Sequence, residues 1–203
     1  MLTLYELKPR FQKLLRPMVT WLHGNGVTAN QVTLAALGGS LLIAVLISSF
    51  ANHSPLFALM PVWLLVRMAL NAMDGMLARE FGQQSRLGAY LNELSDVIAD
   101  TALFCVLFQV EGVQSGLLAL VILLALLSEY AGVMGPLVGA TRRYDGPLGK
   151  SDRAACLSIL ALGIALGWLA PTWLNVILAL MALLLVITLA NRIRSALNEA
   201  GRP

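Results

Sequence analysis

The chain has 203 residues, of which 58% are hydrophobic and 12% charged. A soluble domain carries about 25% charged residues. That deficit, with a mean hydropathy of +0.77, excludes a soluble domain, a disordered chain and a fibrous one. The net charge is +3, and no nucleic-acid partner is expected. Cys105 and Cys156 lie inside apolar runs, so no disulfide framework is expected.

Residues 1–25 read as an interfacial amphipathic segment lying on the anionic inner leaflet, because Lys8, Arg10, Lys13 and Arg16 alternate with Leu, Tyr, Phe and Trp. They show no hydrophobic core and cleavage site of a secretory signal. Pro9 and Pro17 argue against one long straight helix there. Thr28 or Asn30 is placed to cap the next helix. Residues 26–203 then read as one membrane domain. Its apolar runs are about Val32–Phe50, Leu56–Met73, Gly88–Val110, Leu117–Val138, Ala154–Ala170 and Trp173–Ala190. Each is able to cross about 30 Å of hydrocarbon at about 20 residues. The expected fold is an all-α integral membrane protein of six transmembrane helices.

Charge placement agrees with six. Of the 14 Lys and Arg residues, 13 fall before the first run, between the second and third, between the fourth and fifth, or after the sixth. The other loops hold Asn52-His53, Glu111 and Pro171. The positive-inside rule makes the basic side cytoplasmic, with both termini inside. His23 and His53 read as surface residues. Trp21, Trp63, Trp168 and Trp173 suit packing or interfacial anchoring.

Ionisable residues inside spans are costly and point to function. Here they cluster. Arg67, Asn71 and Asp74 share one helix face, and Asn92, Asp96 and Asp100 share another. The connection Glu80–Leu87 is short, so these helices are antiparallel neighbours and Asp74 faces Asp96. Carboxylates and amide carbonyls suit a hard divalent cation, Mg²⁺ or Mn²⁺; His and Cys at ligand spacing are absent, which argues against zinc. Arg67 lies about 10 Å deeper than Asp74 by helical rise. Asp100 and Glu129 lie at similar depth, so a buried pairing of Arg67 with one or both is expected as a polar floor beneath the site. The loop Arg142–Arg153 divides between two readings: topology with lipid headgroup contact, or an acceptor-phosphate site formed by Lys150, Arg153 and Arg142. Asp152 is placed to cap the fifth run or to hold Arg153.

The stretch 71–96 resembles the signature of the CDP-alcohol phosphatidyltransferase family, D-x2-D-G-x2-A-R-x8-G-x3-D-x3-D. Asp74, Gly75, Ala78, Arg79, Gly88 and Asp96 match with every gap kept, while Asn71 and Asn92 replace the first and third acids. Thr28–Thr33 is similar to the family's P-N-x-x-T entry to the first span, with Ala29 in place of Pro. Gly149-Lys150-Ser151 resembles the Gly-Lys turn before its fifth.

The resemblance implies transfer of a substituted phosphate from a CDP-linked lipid or alcohol to an acceptor alcohol, with release of CMP, as in phospholipid biosynthesis. It implies that Asn71, Asp74, Asn92 and Asp96 line the metal site, that Asp96 is the general base, and that Gly75, Ala78, Arg79 and Gly88 form the CDP pocket. It places the protein in a bacterial inner membrane, with membrane lipids around it, the site at the cytoplasmic face and a homodimer as one option. The two Asn residues open three outcomes: one metal instead of two, an altered reaction, or a lost activity. An inactive or binding-only relative and a small transporter using the intramembrane charges are the competing readings.

Overall fold

This computed structural model describes residues 4–50 and 54–201, with side chains from residue 11 onward. Asn52, His53 and Arg202 lie outside the described residues, as do the side chains of Lys8 and Arg10. The described residues form seven α-helices and no strand: α1 Leu4–Gly24, α2 Ala29–Ser49, α3 Leu59–Glu80, α4 Arg86–Cys105, α5 Ser115–Val133, α6 Lys150–Ala165 and α7 Pro171–Ala200. Short 3₁₀ turns occupy Ser54–Ala58, Val106–Gln109 and Gly135–Val138.

Four segments are long and apolar enough to cross a membrane by length and composition: Ala29–Ser49, Ser54–Glu80, Ser115–Val133 and Pro171–Ala200. The expected third and fifth runs correspond to α4 and α6. α4 carries Arg86, Glu93, Asp96 and Asp100 within its 20 residues. α6 has 16 residues, with Lys150, Asp152 and Arg153 in its first turn.

The two prolines near the N-terminus do not interrupt the helix. α1 runs as a continuous helix through both Pro9 and Pro17. Each proline removes a backbone hydrogen bond, and packing offsets the loss. Val19 is buried beside Leu15 and Leu22, in a cluster with Ala29, Val32, Met73, Met76 and Leu77. Arg16 Nη1 lies 2.9 Å from Glu80 Oε2. On another side of α1, Leu14, Met18 and Trp21 form an exposed apolar stripe at i, i+4 and i+7.

The chain divides into two compact units. The first is built from α1, α2 up to Ile43, α3 from Val62 and α4 up to Ala99. Within it, Gly39 lets the Trp63 ring lie directly on α2, where a Cβ would fall 2.0 Å from the ring. The ring nitrogen donates to Ser40 Oγ at 2.9 Å. The second unit holds Ala44–Pro61 and everything from Asp100. There α5 packs along α7, and α6 packs on the Ser54–Ala58 turn. The buried stripe of α7 is Leu174, Leu178, Met181, Leu185, Thr188, Arg192 and Ala196.

Residues 139–149 are laid across this second unit. Gly146 (φ 121°) sits so close to α7 that a Cβ would meet Thr188 Cα at 2.6 Å. Leu148 N–H donates to Thr188 Oγ1 at 3.0 Å. Asp152 Oδ2 accepts the Gly149 N–H at 2.9 Å, which is the cap expected of it. Glu199, near the end of α7, accepts from the Thr141 amide, from the Thr141 hydroxyl and from Arg143. Arg143 also forks onto Asp145 at 2.8 and 2.9 Å.

The Thr141 amide hydrogen bond holds the Glu199 carboxyl below its ordinary value of 4.5, and the Arg143 bond holds Asp145 below 3.8. Because both are lowered in the folded state, their stabilisation is complete above those values and is lost as pH falls through them. Hydrogen-exchange protection factors for Thr141–Leu148 are therefore expected to be flat above about pH 5 and to fall below about pH 4. Glu199→Gln should lower the neutral-pH plateau and blunt the fall. A pH-independent profile would remove the carboxylates as the clamp.

Candidate active site at the α3–α4 corner

The candidate side chains of the first unit lie on α2, α3 and α4 and on the connection between α3 and α4. Thr28 fixes the start of α2 by a reciprocal cap: its Oγ1 accepts the Gln31 N–H at 3.3 Å, and its own N–H donates to Gln31 Oε1 at 2.9 Å. The Ala29 N–H donates to Gln83 Oε1 at 2.7 Å, tying α2 to the α3–α4 connection. Gln83 Nε2 lies 3.4 Å from His23 Nδ1. The His23 ring packs on Phe81 at 4.3 Å, so this exposed residue is part of the corner.

Asp74 is 5% exposed. Its Oδ2 accepts from Thr33 Oγ1 at 2.7 Å. Sequence reasoning had the Thr33 motif but not this contact; the signal was the i+4 step from Ala29 that turns Thr33 inward. Asp96, on α4, is reached from α3. Its Oδ1 accepts from Arg67 Nη2 at 3.1 Å and from Asn71 Nδ2 at 3.0 Å. Arg67 Nη2 also reaches the Asp96 carbonyl at 3.1 Å. Arg67 is 4% exposed, so its charge acts where water screens it little. Asn92 stands one turn before Asp96 and is half-buried.

The small residues have specific neighbours. A Cβ on Gly75 would come within 2.9 Å of the Arg79 guanidinium, which lies over it. A Cβ on Gly88 would come within 2.8 Å of Asn30 Oδ1. Ala78 is half-buried against the α1–α3 core. Among the described residues, no three His, Cys, Asp or Glu side chains gather as a metal set. The corner offers two carboxylates and the amides of Asn71 and Asn92. That set contains oxygen donors only, which suits a hard cation.

A second polar cluster lies in the second unit. Arg153 Nη2 bonds Asp100 Oδ2 at 3.1 Å and Glu129 Oε1 at 2.9 Å. Arg192 Nη1 lies 3.3 Å from Glu129 Oε1 and donates to the Ser128 carbonyl. Arg142 Nη2 lies 3.7 Å from Glu129 Oε2, and its guanidinium stacks on Tyr144 at 4.6 Å. Three guanidinium groups thus meet two carboxylates. The Nε and Nη1 atoms of Arg153 are buried without a hydrogen-bond partner.

Depth alone paired Arg67 with Asp100 or Glu129. What depth does not indicate is that Arg67 reaches the side chain and carbonyl of Asp96 and that Arg153 reaches both Asp100 and Glu129. The reason is rotational: helical rise fixes depth but not which helix lies opposite. Arg153 was expected at an accessible loop; it is 1% exposed. Arg192 is one of the basic residues that follow the sixth run, and it is buried. Its signal was the spacing of three or four residues that continues the buried stripe of α7 through Thr188 and Arg192.

Comparison with known proteins bears on what this corner does. A profile of the CDP-alcohol phosphatidyltransferase family matches residues 26–190. The inner membrane protein YnbA of Escherichia coli K12 is 44% identical over 97% of both chains. The phosphatidylinositol phosphate synthase of Streptomyces avermitilis is 29% identical, over 76% of this chain and 64% of its own. In fold, the chain is similar to the phosphatidylinositol phosphate synthase of Mycobacterium tuberculosis with CDP-diacylglycerol bound, with a TM-score of 0.75 at 22% identity over 93% and 96% of the two chains. The same enzyme in complex with manganese and citrate gives 0.69 at 23% identity over 91% and 90%. With a profile match across most of its length and a close relative along nearly all of it, this integral membrane chain belongs to the CDP-alcohol phosphatidyltransferase family.

Proposed function

We propose that this protein transfers a substituted phosphate from CDP-diacylglycerol or a related CDP-lipid to the hydroxyl of an anionic acceptor, releasing CMP. The observation that carries the reaction is the pair Asp74 and Asp96, each oriented by a donor from a neighbouring helix, at the family's own spacing. The acceptor oxygen attacks the lipid-bearing phosphorus, its proton passes to an Asp96 carboxylate oxygen, and the bond from that phosphorus to CMP breaks. Arg67 and Asn71 hold Asp96 against α3 for this role, and Thr33 holds Asp74. Mg²⁺ or Mn²⁺, ligated by Asp74, Asp96 and the amide oxygens of Asn71 and Asn92, would neutralise the diphosphate. Gly75, Ala78, Arg79 and Gly88 are assigned to the CDP portion.

The anionic acceptor rests on the arginine cluster. The buried, unbonded Nε and Nη1 of Arg153 and the partly exposed Arg142 suit phosphate oxygens, with Lys150 opening α6. The relative named phosphatidylinositol phosphate synthase supports a phosphorylated acceptor. We place the chain with six spans, both termini and the corner on the cytoplasmic side, and the Leu14–Met18–Trp21 stripe of α1 on the inner leaflet. The one-sided Lys and Arg distribution supports this orientation. A transporter reading fares worse, because its candidate charges are paired: Arg67 with Asp96, and Arg153 with Asp100 and Glu129.

Purified protein given CDP-diacylglycerol and Mn²⁺ should release CMP faster with glycerol phosphate or inositol phosphate than with glycerol, inositol or serine. Equal rates would remove the anionic-acceptor assignment. Absence of CMP release with every acceptor, alongside retained CDP-lipid binding, would replace catalysis by binding alone.

A further inference from the structure

The two amides in the signature look like a loss of metal ligands, yet the geometry gives one of them a specific task. Asn71 Nδ2 donates to Asp96 Oδ1 at 3.0 Å, and Arg67 Nη2 donates to the same oxygen at 3.1 Å. A carboxylate at position 71 would place a second anion against Asp96 in a corner where Arg67 is 4% exposed. Like charges that close and poorly solvated repel strongly unless a cation lies between them. The Asn71 amide turns the same contact into an attraction without any ion.

We infer that Arg67 and Asn71 do for Asp96 what a second cation would otherwise do, so that this chain binds one divalent ion where an all-carboxylate corner would bind two. The inference rests on the metal site proposed above and specifies its occupancy. Charge balance points the same way. Counting Arg67 with positions 71, 74, 92 and 96, the native corner carries one net negative charge. With Asp at 71 and 92 it would carry three. One divalent ion in the first case and two in the second leave the same single positive charge to meet a diphosphate. The native corner reaches that balance with a single ion, because α3 supplies the remaining donors from within. Arg67 and Asn71 are positioning residues in this scheme, acting through Asp96.

Mn²⁺ alone is the probe, titrated into purified protein in detergent and counted by the loss of the free-ion electron paramagnetic resonance signal. The native chain should bind one ion and the Asn71→Asp, Asn92→Asp double variant two. A second readout is stability in chelator. Native protein should melt only modestly lower in chelator than with Mn²⁺, by the loss of its single ion. Asn71→Asp should melt at least about 5 °C lower in chelator, because Arg67 alone then faces two carboxylates, and should recover with Mn²⁺. Two ions in the native chain overturn this inference and leave the metal site standing. No ion in the native chain overturns the metal site as well. Asn71→Asp melting like the native protein in chelator overturns the role given to the amide. If the double variant does not fold, the native count and the single variant's melting still decide the matter.

Discussion

Arg153→Met should lower the melting temperature of the protein in detergent on the order of 10 °C, corresponding to about 3–5 kcal/mol. The guanidinium is buried and spans two carboxylates from different helices, Asp100 of α4 and Glu129 of α5, at 3.1 and 2.9 Å. Removing one partner of a buried ion pair costs more than the pair was worth, because the remaining charge stays desolvated. Here two charges are affected. Arg142 and Arg192 still face Glu129, so the loss falls mainly on Asp100. Accordingly, adding Asp100→Asn to Arg153→Met should recover a substantial part of the loss, and a double-mutant cycle should give a coupling of about 1–3 kcal/mol. Arg153→Lys keeps the charge but replaces a planar fork by a single ammonium, and should fall between native and Met. Arg142→Gln, at the rim of the cluster, should leave the melting temperature within a few degrees and instead raise the KM for a phosphorylated acceptor. A fall of less than about 2 °C in Arg153→Met would show that the cluster is solvated and contributes little.

How legible this was follows from what sequence spacing encodes. The i+4 steps joining Arg67 to Asn71 and Asn92 to Asp96 to Asp100 gave the faces of α3 and α4, and the short connection between them gave the antiparallel corner. Both are local properties, and Arg67 and Asn71 do meet one residue of α4, Asp96. The Thr28 cap was legible for the same reason. The bonds of Arg67 to Asp96 and of Arg153 to Asp100 and Glu129 were not, because they depend on how helices far apart in sequence are rotated about their axes. Arg153 and Glu129 are 24 residues apart, yet they share a hydrogen bond. The continuity of α1 through two prolines was illegible in a different way. Local propensity argued against it, and the burial of Val19 with residues of α2 and α3 decided the outcome. Arg192 sits between these cases: its buried spacing on α7 was visible, but a basic residue near the end of a span reads first as topology.

The second large effect is expected at the corner itself, where Asp74 and Asp96 should prove separable by chemistry though both are needed for the cation. Asp74→Ala and Asp96→Ala should each abolish Mn²⁺ binding and CMP release, since the native corner has these two carboxylates as its anionic oxygen donors. The more telling variants are the amides. Asp96→Asn keeps size and an oxygen donor but cannot accept the acceptor's proton. It should lower kcat by about 10²–10⁴-fold, the usual contribution of a general base, while CDP-diacylglycerol still binds. Asp74→Asn keeps an oxygen near Thr33 Oγ1, whose hydroxyl now lies 2.7 Å from a carboxylate. It should weaken Mn²⁺ binding, and its activity should be partly restored by raised Mn²⁺. Raised Mn²⁺ should not restore Asp96→Asn, because the missing function is proton acceptance rather than charge. If both amide variants respond to Mn²⁺ alike, Asp96 is a ligand only and the base lies elsewhere. If either alanine variant binds Mn²⁺ as the native protein does, the corner is not the metal site.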